Sequence, residues 1–129
     1  MWGIVTTGKF WEDHLIAGIK SFLGQDKGSP NSKFAGVFST GLTAGDFHEV
    51  AEEEVTARLR DATRRLLQTG DVKCVVMGCA GMAGLEGIIR STATDILGVE
   101  AGEKLYVVDG VKAGVLQLDQ TVRSKHIFG

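Results

Sequence analysis

Cys79 is the residue of this chain best placed to do chemistry. It follows an apolar run, residues 72–77, and stands between Gly78 and Ala80, with Gly81 next. An apolar run that ends in Gly-Cys-Ala-Gly is a strand passing into a helix. A thiol at a helix N-terminus meets the positive end of the dipole and free backbone N–H groups, and both favour the thiolate. Such a thiolate can act as a base on an acidic C–H or as a nucleophile. Small neighbours leave room for a ligand, and N–H groups of this turn can donate to a carbonyl or carboxylate. The same position also suits a small residue that only makes the turn, and buried cysteine is common. Both readings stay open on position alone.

The other chemistry-bearing residues offer less. Cys74 lies inside the strand run and is expected in the core. Its separation from Cys79 is neither a zinc nor a redox spacing, so no metal site is expected. His14, His48 and His126 are scattered, and the first two fall early in helices that follow strand ends, at the rim of a site. Thr6 and Thr7 close the first apolar run just before Gly8. Residues 3–9 match the opening of a phosphate loop, but Phe10 stands where a serine or threonine would hold magnesium. A flavin turn is equally unsupported, since no pair of aromatic loops accompanies it. Asp109 precedes a helical stretch and reads as an N-cap, with a pocket role as its alternative.

Four strand-then-helix units position these residues. The strands are residues 2–7, 34–38, 72–77 and 105–108. Trp11, Leu15, Ile19 and Phe22 recur at helical spacing between Phe10 and Leu23, before Gly24. A loop through Gly28, Pro30 and Asn31 follows. A long helix is expected from near Asp46 to about Gln68, with Val55, Leu59, Ala62 and Leu66 inward. Its early glutamates and later arginines complement the dipole, and Glu54–Arg58 and Asp61–Arg65 are favourable pairs four apart. The arginines read as a solvated face. A third helix carries Leu85, Ile88, Ile89, Thr92 and Ile96 and stops at Gly98. A last one carries Val111, Val115, Leu118 and Val122. The tail beyond Arg123 shows no pattern.

Alternating strands and helices imply an α/β fold, with a parallel sheet and helices on both faces. The expected order is 2-1-3-4, a flavodoxin-like half-sheet. Ligands of such sheets bind beyond the strands' carboxyl ends, where the order reverses. That places Thr6, Thr7 and Gly8 on one side of a site and Gly78, Cys79, Ala80 and Gly81 on the other.

Composition sets the outer limits. At 129 residues the chain is one domain, residues 1–129, and is long enough to bury a core without a disulfide or metal staple. An apolar fraction of 43% argues against disorder. No run of about 18 apolar residues could span a membrane. A formal charge of −2 gives no whole-chain footprint for nucleic acid. Two cysteines without a signal-peptide pattern point to a reducing, cytoplasmic setting. Eighteen glycines, about twice the average usage of ~7%, imply tight turns and close backbone approaches.

Gly3-Ile4-Val5-Thr6-Thr7-Gly8-Lys9, Phe34-Ala35-Gly36-Val37, Ser39-Thr40-Gly41-Leu42, Val76-Met77-Gly78-Cys79-Ala80-Gly81-Met82 and Val107-Val108-Asp109-Gly110-Val111 together resemble the aspartate/glutamate/hydantoin racemase superfamily, nearest its hydantoin and allantoin branch. The stretch around Cys79 is the most specific. The resemblance runs in order over nearly the whole chain and covers the carboxyl-terminal half of a two-lobed enzyme. It implies a small-molecule substrate, no cofactor, and proton transfer at an α-carbon between one cysteine from each lobe. Cys79 matches the cysteine of this half. Thr6 and Thr7 match the hydroxyls lining the pocket, and the N–H groups of residues 79–81 would hold a substrate carbonyl or carboxylate. The half carrying the second cysteine has no counterpart here, so a homo-oligomer or a missing amino-terminal lobe is expected. One-cysteine decarboxylases and isomerases of the same superfamily are an alternative, as is an inactive half-domain that binds a ligand or partner.

Overall fold

A computed structural model describes residues 1–25 and 33–128. The loop read through Gly28, Pro30 and Asn31 lies outside the described residues. Four parallel strands form one sheet in the order β2-β1-β3-β4: β1 Trp2–Thr6, β2 Phe34–Ser39, β3 Cys74–Met77 and β4 Tyr106–Asp109. The α/β class and the strand order are those expected from the sequence. β1 is central, hydrogen-bonded to β2 on one side and β3 on the other, so the order reverses at its edge.

Register divides the side chains between two faces. Trp2, Ile4, Cys74, Val76, Tyr106 and Val108 point one way, and Gly3, Val5, Val75, Met77, Val107 and Asp109 point the other. The first face is covered over β1 and β2 by α1 (Phe10–Phe22), whose Leu15, Ile16 and Ile19 meet Ile4, Phe34 and Val37. The second is covered by α3 (Glu52–Leu67) and α4 (Glu86–Leu97). There Leu59, Leu66 and Ile89 are buried to 0% exposure against Val5 and Val75. α3 sits so low on β1 that a Cβ on Gly3 would lie 2.4 Å from Leu66 Cδ1.

The long helix expected over 46–68 is two. α2 (Asp46–Glu49) ends at Val50, which is extended at φ −85°, ψ 153°, and α3 restarts after Ala51. Thr43 and Asp46 cause the early turn: Thr43 N–H donates to Asp46 Oδ2 at 2.6 Å and Asp46 N–H to Thr43 Oγ1 at 3.3 Å. That turn buries Phe47, and the chain must then re-aim to bring Val55 and Leu59 inward. α5 (Val99–Glu103) was not legible. Gly98, at φ +85°, starts it, and Gly102 packs on α4 so closely that a Cβ would lie 2.6 Å from Thr94 Cα. The chain closes with α6 (Gly110–Arg123) and α7 (Lys125–Phe128).

α6 departs from its expected role. Its apolar stripe is present, but none of its residues is buried. The β3–β4 part of the first face is therefore left open, with Tyr106 72% exposed. For the same reason Cys74, expected in the core, is only half-buried.

Of the arginines on α3, Arg58 pairs with Glu54 at 3.4 Å and Arg60 reaches Asp95 on α4 at 2.5 Å. Arg65 pairs with Asp61 at 2.9 Å, donates to the Ser39 carbonyl at 2.5 Å and lies over the Phe38 ring.

Glu12 ties the start of α1 to the end of β2. Its Oε1 accepts from Ser39 N–H at 2.8 Å and from Ser39 Oγ–H at 2.7 Å. Burial alone would raise this carboxyl, but the two bonds from Ser39, helped by Lys9 and Arg65, outweigh it and hold it below the usual carboxylate range. A group lowered on folding stabilises the fold above its unfolded pKa and loses that contribution as pH falls through its folded value. Glu12→Gln should therefore unfold at lower urea than wild type at neutral pH. The gap should close as pH falls below the ordinary glutamate value of 4.5. A gap that stays constant or widens in acid would contradict this role for the charge.

Candidate active site

The site begins where β1 and β3 run out. Gly78 N–H donates to the Val5 carbonyl at 2.8 Å, and Thr6 Oγ1 donates to the Gly78 carbonyl at 3.4 Å. The approach is close enough that a Cβ on Gly78 would lie 2.7 Å from Ile4 Cγ2 and 3.1 Å from Thr6 Cβ. On the other flank, Thr40 and Gly41 N–H donate to the carbonyls of Thr6 and Thr7 at 2.8 and 3.1 Å. Gly41, at φ +78°, turns the chain, and Leu42 N–H donates to Thr40 Oγ1 at 3.2 Å. The loop after β2 is thereby folded over the end of β1.

Cys79 follows in extended conformation, and a 3₁₀ turn over Ala80–Met82 comes next. Here the sequence reading needs correction. The helix proper, α4, starts only at Glu86, so Cys79 is not at the N-terminus of a long helix. Two contacts force the turn. Met82 is fully buried, and Gly81 passes the loop after β2 so closely that a Cβ would lie 2.8 Å from the Ala44 carbonyl oxygen. A three-residue turn sums too few peptide dipoles for the helix-dipole argument. Local donors remain: among the described residues, the N–H groups of Cys79, Ala80 and Gly81 have no hydrogen-bond acceptor.

Asp109 caps α6 as expected. Its Oδ1 accepts from Val111 N–H at 2.8 Å and Lys112 N–H at 3.3 Å, and its Oδ2 takes a longer contact from Gly84 N–H at 3.4 Å. Burial opposes its ionisation. These three backbone donors and the Lys112 ammonium outweigh burial and hold the carboxyl below the usual range. Asp109 thus anchors the segment that leaves Cys79 and does not line the cavity.

That cavity, of about 390 Å³, opens at the carboxyl edge between β1 and β3. The structure brings Thr6, Thr7, Gly8, Gly78 and Cys79 onto its wall. Thr7 is 5% exposed, and its hydroxyl has no partner among the described residues. Ala80 is not on this wall. It lines a shallower depression of about 330 Å³ that also touches Cys79 and Gly110. Gly81 lines neither, because it is spent on the contact with Ala44. His14 stacks on Phe10 at 5.5 Å and lies edge-on to Trp11 at 5.7 Å, and His48 and His126 are exposed on α2 and α7. None of the three reaches the cavity.

Sequence reading missed Trp11 and Leu15 of α1 and residues 41–44 as cavity wall. The Ser-Thr-Gly run was the available signal. A larger hollow of about 520 Å³ lies at the opposite edge, between residues 70–73 and 97–105. Charges at its rim are paired with each other, Lys73 with Asp71 and Lys104 with Glu100. Among the described residues no cluster of three His, Cys, Asp or Glu could hold a metal. Nor is any described helix long and apolar enough to cross a membrane.

The profile of the Asp/Glu/hydantoin racemase family matches residues 1–118. The chain belongs to that family. An uncharacterized protein of Schizosaccharomyces pombe is 35% identical over 122 residues, which is 93% of this chain and 45% of that protein. The crystal structure of allantoin racemase from Pseudomonas fluorescens superposes with a TM-score of 0.67 at 25% identity, covering 95% of this chain and 45% of that one. The chain therefore spans just under half the length of each.

The two thiols should separate chemically. Cys79 opens onto the cavity, whereas burial pushes the Cys74 thiol above its ordinary value, against a smaller opposite pull from the amino-terminal ammonium. Iodoacetamide near neutral pH should modify Cys79 well before Cys74, read by peptide mass mapping. Equal labelling, or Cys74 first, would contradict the site as drawn.

Proposed function

We propose that this chain is a racemase-family proton-transfer unit in which Cys79 exchanges the proton on one face of the α-carbon of a hydantoin-like or amino-acid-like substrate. The observation that carries the reading is the family match joined to a thiol on the wall of the switch-point cavity. On the same wall, the Thr7 hydroxyl and the Cys79 N–H have no hydrogen-bond partner among the described residues. The cavity's volume suits a small ring or amino acid.

In this reading the Cys79 thiolate removes the α-hydrogen, and the electron pair left on carbon spreads onto the adjacent carbonyl. The Cys79 N–H and the Thr7 hydroxyl, both on the cavity wall, stabilise the oxygen as charge builds there. The carbonyl itself acidifies the α C–H, so the step calls for no cofactor. Return of the proton from Cys79 restores the starting configuration. Inversion needs a second acid–base group on the opposite face. Cys74 cannot serve: it lies five residues back along an extended run, roughly 16 Å at about 3.3 Å per residue. The second group has to come from another lobe or another copy.

A single thiol at the cavity also fits the superfamily's one-cysteine chemistry, in which loss of carbon dioxide makes the carbanion and Cys79 protonates it. An inactive half-domain would bind the ligand without exchange.

Proton NMR in deuterium oxide tests the reading. With a 5-substituted hydantoin or allantoin near neutral pH, the wild-type chain should replace the α-hydrogen by deuterium while optical activity is kept. Cys79→Ala should abolish the exchange and Cys74→Ala should spare it. Exchange that survives Cys79→Ala would sink the assignment, and wild-type binding without exchange would favour the half-domain.

A further inference from the structure

Ser39, the last residue of β2, is held from both faces of the sheet at once. Thr40 N–H turns inward to the Thr6 carbonyl, so the main-chain groups of Ser39 turn outward at the free edge of β2. Its N–H and hydroxyl donate to Glu12 Oε1 of α1 at 2.8 and 2.7 Å, and its carbonyl accepts from Arg65 of α3 at 2.5 Å. Two walls of the cavity beside Cys79 start at this clamp. Trp11 and Leu15 of α1 form one, and residues 41–44 after β2 form the other. Glu12 is next to Trp11, and Ser39 stands two residues before Gly41. Among the described residues, Glu12 makes the only side-chain hydrogen bonds from α1 to the sheet. The rest of that contact is apolar, Leu15, Ile16 and Ile19 on Ile4, Phe34 and Val37. Apolar contact is non-directional, so it keeps α1 on the sheet without fixing where along the strands its first turn stops.

We propose that Glu12 is a positioning residue of the site: by clamping the first turn of α1 to the end of β2, it sets the spacing of the two walls and so governs access to Cys79. Glu12 itself does not line the cavity. A tighter or looser fit for substrate follows only on the proposed substrate reading, whereas the spacing does not depend on it. A carboxylate suits the task, because one oxygen accepts both donors and charge-assisted bonds are stronger than neutral ones. Lys9 at 3.6 Å and Arg65 at 4.0 Å flank it. Glutamine at this place keeps an oxygen acceptor with weaker bonds, and alanine keeps none. The charge therefore bears on stability, and the acceptor bears on the geometry of the walls.

Alkylation of the two thiols in the ligand-free chain reads the spacing, and hydantoin titration followed by ¹⁵N NMR reads the fit. In Glu12→Ala, iodoacetamide should modify Cys79 severalfold faster than in wild type while Cys74 keeps its rate, and hydantoin affinity should fall by about tenfold or more. Glu12→Gln should stay near wild type in both readouts, although urea unfolds it sooner. Both thiols accelerated by the same factor, an unchanged Cys79 rate, or a Glu12→Gln variant as defective as Glu12→Ala would overturn the proposal, since each is what a merely stabilising contact gives. If Glu12→Ala does not fold, Ser39→Ala, which loses the hydroxyl bond and keeps the N–H bond, should speed Cys79 in the same sense but less, and an unchanged rate would overturn the proposal. A wild type that binds no hydantoin, with the thiol rates as expected, would overturn the substrate reading and support the clamp.

Discussion

At the carboxyl edge of the sheet, β1 and β3 approach so closely at Gly78 that a single added carbon would lie 2.7 Å from Ile4 Cγ2. The absent side chain lets Thr6 Oγ1 reach the Gly78 carbonyl and lets the β1–β3 ladder continue one residue past the strand. Thr7 and Cys79, the next residues on each side, then share one cavity wall. A second close approach, Gly81 against the Ala44 carbonyl, brings in the loop after β2 as the third wall. A Cβ at Gly78 would meet the side chains of Ile4 and Thr6, and one at Gly81 the Ala44 carbonyl, so the geometry of the site rests on two glycines.

Much of this was legible beforehand because it depends on local pattern. Short apolar runs ending in Thr-Thr-Gly and Gly-Cys-Ala-Gly mark strand ends, and alternation with helical stretches fixes a parallel sheet. The switch-point rule then puts Thr7 beside Cys79 without any tertiary detail. What stayed hidden is set by contacts between distant segments. Nothing near Cys79 in sequence says that Ala44 will crowd Gly81 and Met82 will be drawn into the core, converting a helix start into a 3₁₀ turn. The short helix at residues 99–103 exists because Gly102 fits against Thr94, which apolar periodicity does not encode. Periodicity showed that α6 has an apolar face, but it says nothing about whether that face meets this chain's own core.

The same distinction separates fold from function. Membership of the racemase family and the sheet order follow from the whole chain, whereas the chemistry depends on a few atoms at one edge. Cys79 lies on a cavity wall with Thr7, whose hydroxyl has no partner among the described residues, and Trp11 and Leu15 give that cavity an apolar wall. A carbanion needs this mixture of donors aimed at its oxygen and apolar walls elsewhere. Stereoinversion needs a second base as well, and the only other thiol of the chain lies toward the opposite end of β3.

The most direct test of the account is where a small cyclic imide binds. Hydantoin titrated into ¹⁵N-labelled protein should shift the amides of Thr7, Gly8, Gly41, Leu42 and residues 79–81 together, along a single saturating curve. Shifts confined to residues 70–73 and 97–105, around the larger hollow at the opposite edge, or a saturating curve that leaves Thr7 and Cys79 unmoved, would contradict it.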